Sequence, residues 1–469
     1  MTILNPSEAQ FSISVPVVVV GGGGCGLAAA LAAKDAGVDV LVVERDASTI
    51  GSTGMSTGLI PAAGTRQQIE RGIEDSAELL ASDILRKAKG QTDPAIALAL
   101  ARESARTIEQ LVERHQIGLT LVDGFLYPGH SVMRMHGTVN RSGEELMTAL
   151  SSACARAGAD ILNEALASAL FADSQGRVHG VRITRPDNTI EDIACEAAIL
   201  ACCGFAGDER MVRQYIPEIA GASFFGHPGN KGDALRWGLE LGAAVEDLGA
   251  YQGHGGLAAG YGIPILWPLI MEGGFQVNAA GLRFSDESQG YSEQAMNVVA
   301  QPGQVAWDIY DERLHRLMLE FQDYRDAIEA RAIVSAPDID SLAQAVGLPA
   351  IALANTVTEV EQMVRAERDC PFGRNFSGKG PLQPPYYAVR VTGALFHTQG
   401  GLVVDERARV KRKDGSTLPN LFAGGGAARG ISGPGAWGYM AGNGLLTATT
   451  FGRLAGETAA ALAHGRTVA

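Results

Sequence analysis

The sequence predicts an α/β protein, a Rossmann-like domain of parallel strands and covering helices split by an inserted α+β segment. Three observations predict it. The run VPVVVVGGGGCGLAAALAAKDAGVDVLVVE, from Val15 to Glu44, reads as one complete strand–turn–helix–strand unit. Beyond Leu248 the alternation of strand and helix patterns gives way to an irregular mixture of aromatics, glycine and proline that persists to about Pro385. Strand-like segments and a final helix then return.

Val17 to Val20, four consecutive β-branched residues, form a buried strand. Gly21, Gly23 and Gly26 occupy the three glycine positions of GxGxxG. The first permits a tight turn, and the second lets the backbone approach a pyrophosphate. The third lets the helix pack close to the sheet, its N-terminal dipole facing the phosphate charge. A helix of small residues (Leu27 to Ala36) and a second strand (Val38 to Val43) follow. Glu44 closes the unit 18 residues after Gly26, where a carboxylate bonds both hydroxyls of an adenosine ribose. The following residues choose between NAD and FAD. DASTIGSTGMSTGLIPAAGT, with Gly51, Gly54 and Gly58 punctuating hydroxyl residues, offers many N–H groups and little bulk. That suits wrapping the ribityl chain and isoalloxazine of a flavin.

Residues 66 to 118 carry apolar positions at helical spacing. A helix from Leu146 leads to a strand at Ile161, a hairpin turns at Ser174-Gln175-Gly176, and Ala197 to Phe205 form a buried strand ending in glycine. His227 to Asp247 read as a loop entering a helix, with Asp233 near its first turn. The expected domains are 1–247, an inserted 248–384 whose helical part includes Ile339 to Arg368, and 385–469, the last helix beginning near Asn443.

A chain of 469 residues is too long for one simple core, and 46% hydrophobic with 19% charged residues describes a well-packed globular protein. A net charge of −14 without any basic run argues against nucleic acid and against an anionic membrane surface. Six cysteines without CxxC or Cys/His spacing read as reduced thiols and not as a metal site. The amino-terminal residues lack the basic region and apolar core of a signal peptide, and Val15 to Val20 are too few to span a bilayer, so a cytoplasmic location is expected.

With these elements in place, the chain resembles the FAD-binding flavoproteins that include fumarate reductase, succinate dehydrogenase and the 3-ketosteroid dehydrogenases. The resemblance rests on the Val15–Glu44 unit, the Ser/Thr/Gly loop, AILACCGF, Gly232-Asp233, VNAAGLRFSDE and FHTQGGLVVD. LFAGGGAARG…GYMAGNGLLTATTFGRLAG completes it. It implies a Rossmann-like FAD-binding domain split by an inserted α+β capping domain, with redox chemistry at a C–C bond next to a carbonyl. It also implies FAD binding by Gly21, Gly23, Gly24, Cys25 and Gly26, by Glu44 and Arg45, and by Ser52, Thr53, Gly54, Met55, Ser56, Thr57 and Gly58. Leu166, Ala201, Cys202, Gly204, Asp233, Gly425, Gly442, Asn443, Leu445 and Leu446 complete the implied set.

Departures from the family pattern redirect the expectation. The loop from Gly51 to Gly64 has no histidine of the kind that carries covalent flavin, so non-covalent FAD is implied. Tyr291 falls where fumarate reductases have a proton-transferring arginine. The arginine that clamps a substrate carboxylate before the closing GGN gives way to Trp437, Gly438 and Tyr439. The family histidine of FHTQGG is retained as His397, and Gln252-Gly253-His254 resembles the other substrate-side histidine. Ile431 to Ala436 resemble the GPG stretch of the ketosteroid dehydrogenases, with Ile431 in place of a tyrosine.

Dehydrogenation beside a carbonyl needs a donor to the carbonyl oxygen, a base for the α proton and a hydride acceptor. Tyr291 and Tyr439, aided by His254 and His397, are the expected acid–base residues, provided neighbours lower a tyrosine pKa. Tyr251, Tyr261, Tyr291, Tyr439, Trp267 and Trp437 are expected to make a pocket that is apolar with a few hydroxyls. Each tyrosine equally fits a packing role with its hydroxyl bonded. The expected partners are a small carbonyl substrate, favouring a neutral cyclic ketone, and an unidentified electron acceptor. Two alternatives stay open. One is a fumarate- or tricarballylate-type carboxylate held by Arg134, Arg429 or Arg283; the other is an FAD-binding electron-transfer subunit.

Overall fold

The computed structural model describes residues 3–466. Five parallel strands lie side by side in the order Thr417–Ala423, Ile190–Leu200, Phe11–Val20, Val40–Val43 and Asp160–Leu162. Val17, Val18 and Val19 are completely buried at the centre, as a β-branched run covered on both faces must be. All five strands end at one edge. That edge gathers Gly21–Gly23, Glu44–Asp46, Ala201–Gly204 and Gly424–Gly426, the place where an open parallel sheet binds its ligand. The first half of Ile190–Leu200 instead pairs antiparallel with Val178–Thr184, extending the sheet to nine strands.

The first helix spans Gly24–Asp35, three residues earlier than the expected Leu27. Gly23 alone serves as its cap, so Gly24, Cys25 and Gly26 form the first turn and aim their N–H groups at the strand edge. The C-terminal helix, Asn443–Ala463, lies directly against it. A Cβ at Gly452 would stand 2.3 Å from the Cys25 carbonyl oxygen, and one at Gly456 would stand 2.2 Å from that of Ala29. Only glycine lets two backbones meet this closely.

Residues 66 to 118 resolve into the helices Arg66–Glu70, Ala77–Lys87 and Pro94–Glu109, followed by a π-helical turn at Gln110–Arg114. Ser76 and Asp93 accept N–H bonds at the starts of the second and third, which explains the breaks.

A six-stranded, mostly antiparallel sheet forms the second layer of the molecule. Tyr386–Thr398 is its spine, pairing with Val305–Asp311, Tyr251–Ala258, Ile333–Ala336 and Ser223–Phe224, while Phe275–Val277 flanks Val305–Asp311. The sheet therefore draws strands from both sides of residues 248 and 384. Its glycines carry the helix Tyr291–Val299 on the sheet surface. A Cβ at Gly253 would lie 2.9 Å from the Ser292 carbonyl oxygen, and one at Gly393 would lie 2.3 Å from that of Ala295. The helix start, and with it Tyr291, is fixed by this contact. The helical part from Ile339 divides at Gly347 into Ile339–Val346 and Ala350–Val364. Among the described residues no helix is long and apolar enough to cross a membrane.

Candidate active site

A cavity of about 260 Å³ runs from the parallel-strand edge to the underside of the antiparallel sheet. At the strand edge the glycines divide by function. A Cβ at Gly21 would strike the Ala201 carbonyl oxygen at 2.6 Å, and one at Gly26 would strike that of Gly21 at 1.9 Å. Both are glycine because protein backbone is in the way. A Cβ at Gly23 would meet nothing nearer than the Thr53 hydroxyl at 4.0 Å, so Gly23 faces open cavity. The space it leaves suits a ligand's phosphate at a helix start.

Glu44 is buried, with Oε2 accepting from the Gly22 N–H at 2.7 Å and Oε1 from the Asp46 N–H at 2.9 Å. Each oxygen keeps capacity for a further hydroxyl donor. Arg45 pairs with Asp46 at 3.0 Å, and His227 closes that network at 3.0 Å from the same carboxylate. Thr53 accepts from the Gly24 N–H at 3.1 Å, and Asn230 donates to Ser52 at 2.9 Å, so the Ser/Thr loop is tied to the cradle. Gly143 permits this. Its N–H bonds the Ser56 carbonyl at 2.7 Å, where a Cβ would collide with the Thr53 carbonyl oxygen at 2.1 Å. Burial pushes the Cys25 thiol up to about 12 and raises Cys202 and Cys203, so the thiols face the cradle uncharged. At the start of the last helix, Asn443 Oδ1 is buried without a hydrogen-bond partner. The open Gly23 cradle and the remaining acceptor capacity of Glu44 fit an FAD laid along the cavity.

The other end of the cavity is aromatic, and its hydrogen-bond donors are uncharged. His254, 3% exposed, stacks between Phe396 at 5.0 Å and Tyr291 at 5.1 Å, with Trp267 edge-on at 5.8 Å. Its Nδ1 accepts from the Gly256 N–H at 3.0 Å, which places the ring proton on Nε2. Burial lowers its pKa to about 3, so the ring is a neutral donor. His397 is held through Nδ1 by Gln399 Nε2 at 3.2 Å, and burial lowers its pKa to about 4. Tyr291 and Tyr439 meet with ring centres 6.0 Å apart, and Tyr439 lies 5.7 Å from His397. The Gly444 N–H points to the Tyr439 oxygen at 3.4 Å. Burial raises both tyrosine pKa values. That reverses the expected lowering, since neither hydroxyl has a cation to stabilise a phenolate. These tyrosines are hydroxyl donors.

The cavity wall includes all four expected acid–base residues and most of the expected FAD set, from Gly21, Gly23, Gly24 and Cys25 through Leu166, Asp233 and Gly425 to Gly442 and Leu445. Gly26, Gly54, Gly58, Gly204, Asn443 and Leu446 stand behind it. Gly204 is set by the Thr398 hydroxyl, 1.9 Å from where its Cβ would be, and Leu446 is fully buried in the core. Tyr251 is buried away from the cavity. Tyr261 is exposed and donates to the Arg331 carbonyl, and Trp437 lies under the Lys89 ammonium. The three candidate carboxylate clamps are committed elsewhere. Arg134 pairs with Asp75 and Asp83, Arg283 with Glu287, and Arg429 with Glu246 and Asp247. Sequence reasoning missed Tyr127, Phe396, Gln399 and Asp323 on the wall. Phe396 and Gln399 flank His397 and were legible from it, whereas nothing in the local sequence marks Tyr127 or Asp323.

The family described as FAD binding domain matches residues 16–445. A fumarate reductase (cytochrome) of Shewanella frigidimarina is 28% identical over 464 residues, covering 97% of this chain and 80% of that protein. Among solved structures, the open conformation of a flavocytochrome c3 fumarate reductase superposes with a TM-score of 0.80 at 28% identity, over 97% of this chain and 79% of that one. The 3-ketosteroid-Δ4-(5α)-dehydrogenase of Rhodococcus jostii RHA1, bound to 4-androstene-3,17-dione, superposes with a TM-score of 0.78 at 22% identity. The match covers 98% of this chain and 100% of that one and shows a shared fold.

Proposed function

This chain belongs to the FAD binding domain family and is an FAD-dependent oxidoreductase acting on CH–CH groups, and we propose that its substrate is a neutral, cyclic carbonyl compound. The reaction proposed is desaturation, or its reverse, between the carbons α and β to the carbonyl. One observation carries this reading. The aromatic end of the cavity offers only neutral donors (Tyr291, Tyr439, His254 and His397), while every arginine that might clamp a carboxylate sits in an ion pair. An anion there would lose its hydration without gaining a countercharge.

Bound FAD, held by the Gly21–Cys25 turn, Glu44, the Ser52–Thr57 loop and the Gly442–Leu445 helix start, would supply the hydride exchange at the β carbon. The chain's own residues manage the proton and the carbonyl. His254 Nε2–H and a tyrosine hydroxyl donate to the carbonyl oxygen, drawing charge from the α carbon. As an enone is reduced, the second hydroxyl of the Tyr291–Tyr439 pair gives its proton to the α carbon, and the phenolate left behind takes that proton back in the reverse direction. Trp267 and Phe396 keep water from the reacting carbons.

A carboxylate substrate is the second reading, favoured by the fumarate reductase relative. It requires an arginine to leave its ion pair. The decisive measurement is anaerobic reoxidation of the reduced flavin. Cyclic enones are expected to reoxidise it at least about tenfold faster than fumarate. Faster reoxidation by fumarate would establish the carboxylate reading, and reoxidation by neither class would point to an electron-transfer subunit.

A further inference from the structure

One charged group at the substrate end has no partner. Asp323 lies in the first turn of the helix Gln322–Glu329 and lines the cavity. Among the described residues no ion pair or hydrogen bond reaches its carboxylate. The preceding residue but one, Phe321, packs on Phe125 at 5.8 Å and belongs to the same apolar cluster as Leu59 and Leu266, which also line the cavity. Phe125 in turn packs on Tyr127 at 5.0 Å, and Tyr127 and Asp323 both line the cavity.

The groups that face Asp323 are acids. Asp326 follows on its own helix, and Glu144 approaches from the helix Gly143–Ala157. The neighbouring cations are engaged. Arg141 bonds Glu320 at 2.6 Å and covers the Phe321 ring at 5.0 Å, and Arg325 bonds the Leu319 carbonyl and Gln322, both at 2.6 Å. Burial, then these two acids, raises the Asp323 pKa to about 7. A favourable helix N-terminus offsets only part of that cost. A half-buried carboxylate with no donor beside it is stabilised when a ligand brings the missing donor.

Resting on the carbonyl reading above, we infer that Asp323 is a specificity determinant that selects carbonyl substrates bearing a hydrogen-bond donor, a hydroxyl or a protonated amine, away from the reacting carbons. The site thereby recognises one molecule at two ends. Neutral donors hold the carbonyl, and a lone acceptor reads the distal group. A carboxylate in the distal position is rejected by like charge.

The test uses the FAD-loaded enzyme and three ring ketones: 4-methylcyclohexanone, 4-(hydroxymethyl)cyclohexanone and 4-(dimethylaminomethyl)cyclohexanone. Dissociation constants come from quenching of tryptophan emission, to which Trp267 and Trp237 in the wall contribute. At pH 8 the hydroxyl and ammonium compounds are expected to bind about 10- to 100-fold more tightly than the methyl compound. The ammonium advantage should shrink by roughly tenfold at pH 6, where the carboxyl is protonated. Asp323→Asn should bring the ammonium compound to within about threefold of the methyl compound at both pH values, with methyl binding unchanged. Equal binding of all three by the natural protein, or an ammonium preference that survives in Asp323→Asn, overturns the role of Asp323 and leaves the carbonyl reading standing. Failure of every ketone to bind, with fumarate binding instead, overturns the carbonyl reading itself.

Discussion

Tyr291 and Tyr439 come from different elements, one opening a helix on the antiparallel sheet and the other preceding the last helix. Their hydroxyls reach one cavity, and burial holds both in the protonated form. Tyr291→Phe and Tyr439→Phe are each expected to retain FAD and the fold while slowing reoxidation of the reduced flavin by a cyclic enone by about 10²- to 10⁴-fold, measured by anaerobic stopped-flow absorbance. Rates equal to the natural protein's in both variants would move the proton chemistry to His254 and His397. At this scale the cofactor cradle was the legible part, because Gly21, Gly23 and Glu44 state their roles through spacing. The aromatic wall was less so. Tyr251 adjoins Gln252 on one strand, yet side chains alternate faces, so Gln252 and His254 line the cavity while Tyr251 enters the core. Residue type suggested a pocket, but only strand register says which residues it faces.

Among the elements, the contact between Gly24–Asp35 and Asn443–Ala463 fixes the cradle, since the start of each helix borders the cavity. Gly456→Val would set a branched side chain against the Ala29 carbonyl. It is expected to destabilise the fold by about 3 kcal/mol and to weaken FAD retention. Gly221→Ala, where a Cβ meets nothing within 4 Å, is the matched control and should be neutral. Thermal unfolding followed by flavin fluorescence measures both, and an unchanged midpoint for Gly456→Val would remove the contact's importance. The first two parallel strands were readable because Val17–Val20 and Val40–Val43 are valine-rich runs. The antiparallel sheet was not, because strands such as YQGHGGLA spend their small residues on seating a helix and so lose the alternation that marks a strand.

For the molecule as a whole, stability should carry the signature of Asp308, a fully interior carboxyl bonded by Gln276 Nε2 at 2.8 Å. Burial, opposed by that bond and assisted by Glu287, raises its pKa to about 7. Its folded pKa exceeds the unfolded value, so the folded state binds the extra proton between about pH 4 and 7. Its contribution to stability therefore falls as pH rises through that window and is constant above it. Asp308→Asn, which keeps an acceptor for Gln276, should raise the melting temperature at pH 8 by a few degrees and leave it nearly unchanged at pH 4. Equal shifts at both pH values would rule out titration as the cause. A different consequence follows from the order in which the cradle's parts occur along the chain. Its glycine turn lies at residues 21–25, the adjoining strand at 190–200, and its closing turns at 425 and 442–445. During synthesis the first walls emerge more than 400 residues before the last. A nascent chain thus has no complete receptacle for its cofactor until the 442–445 turn has joined the walls made first.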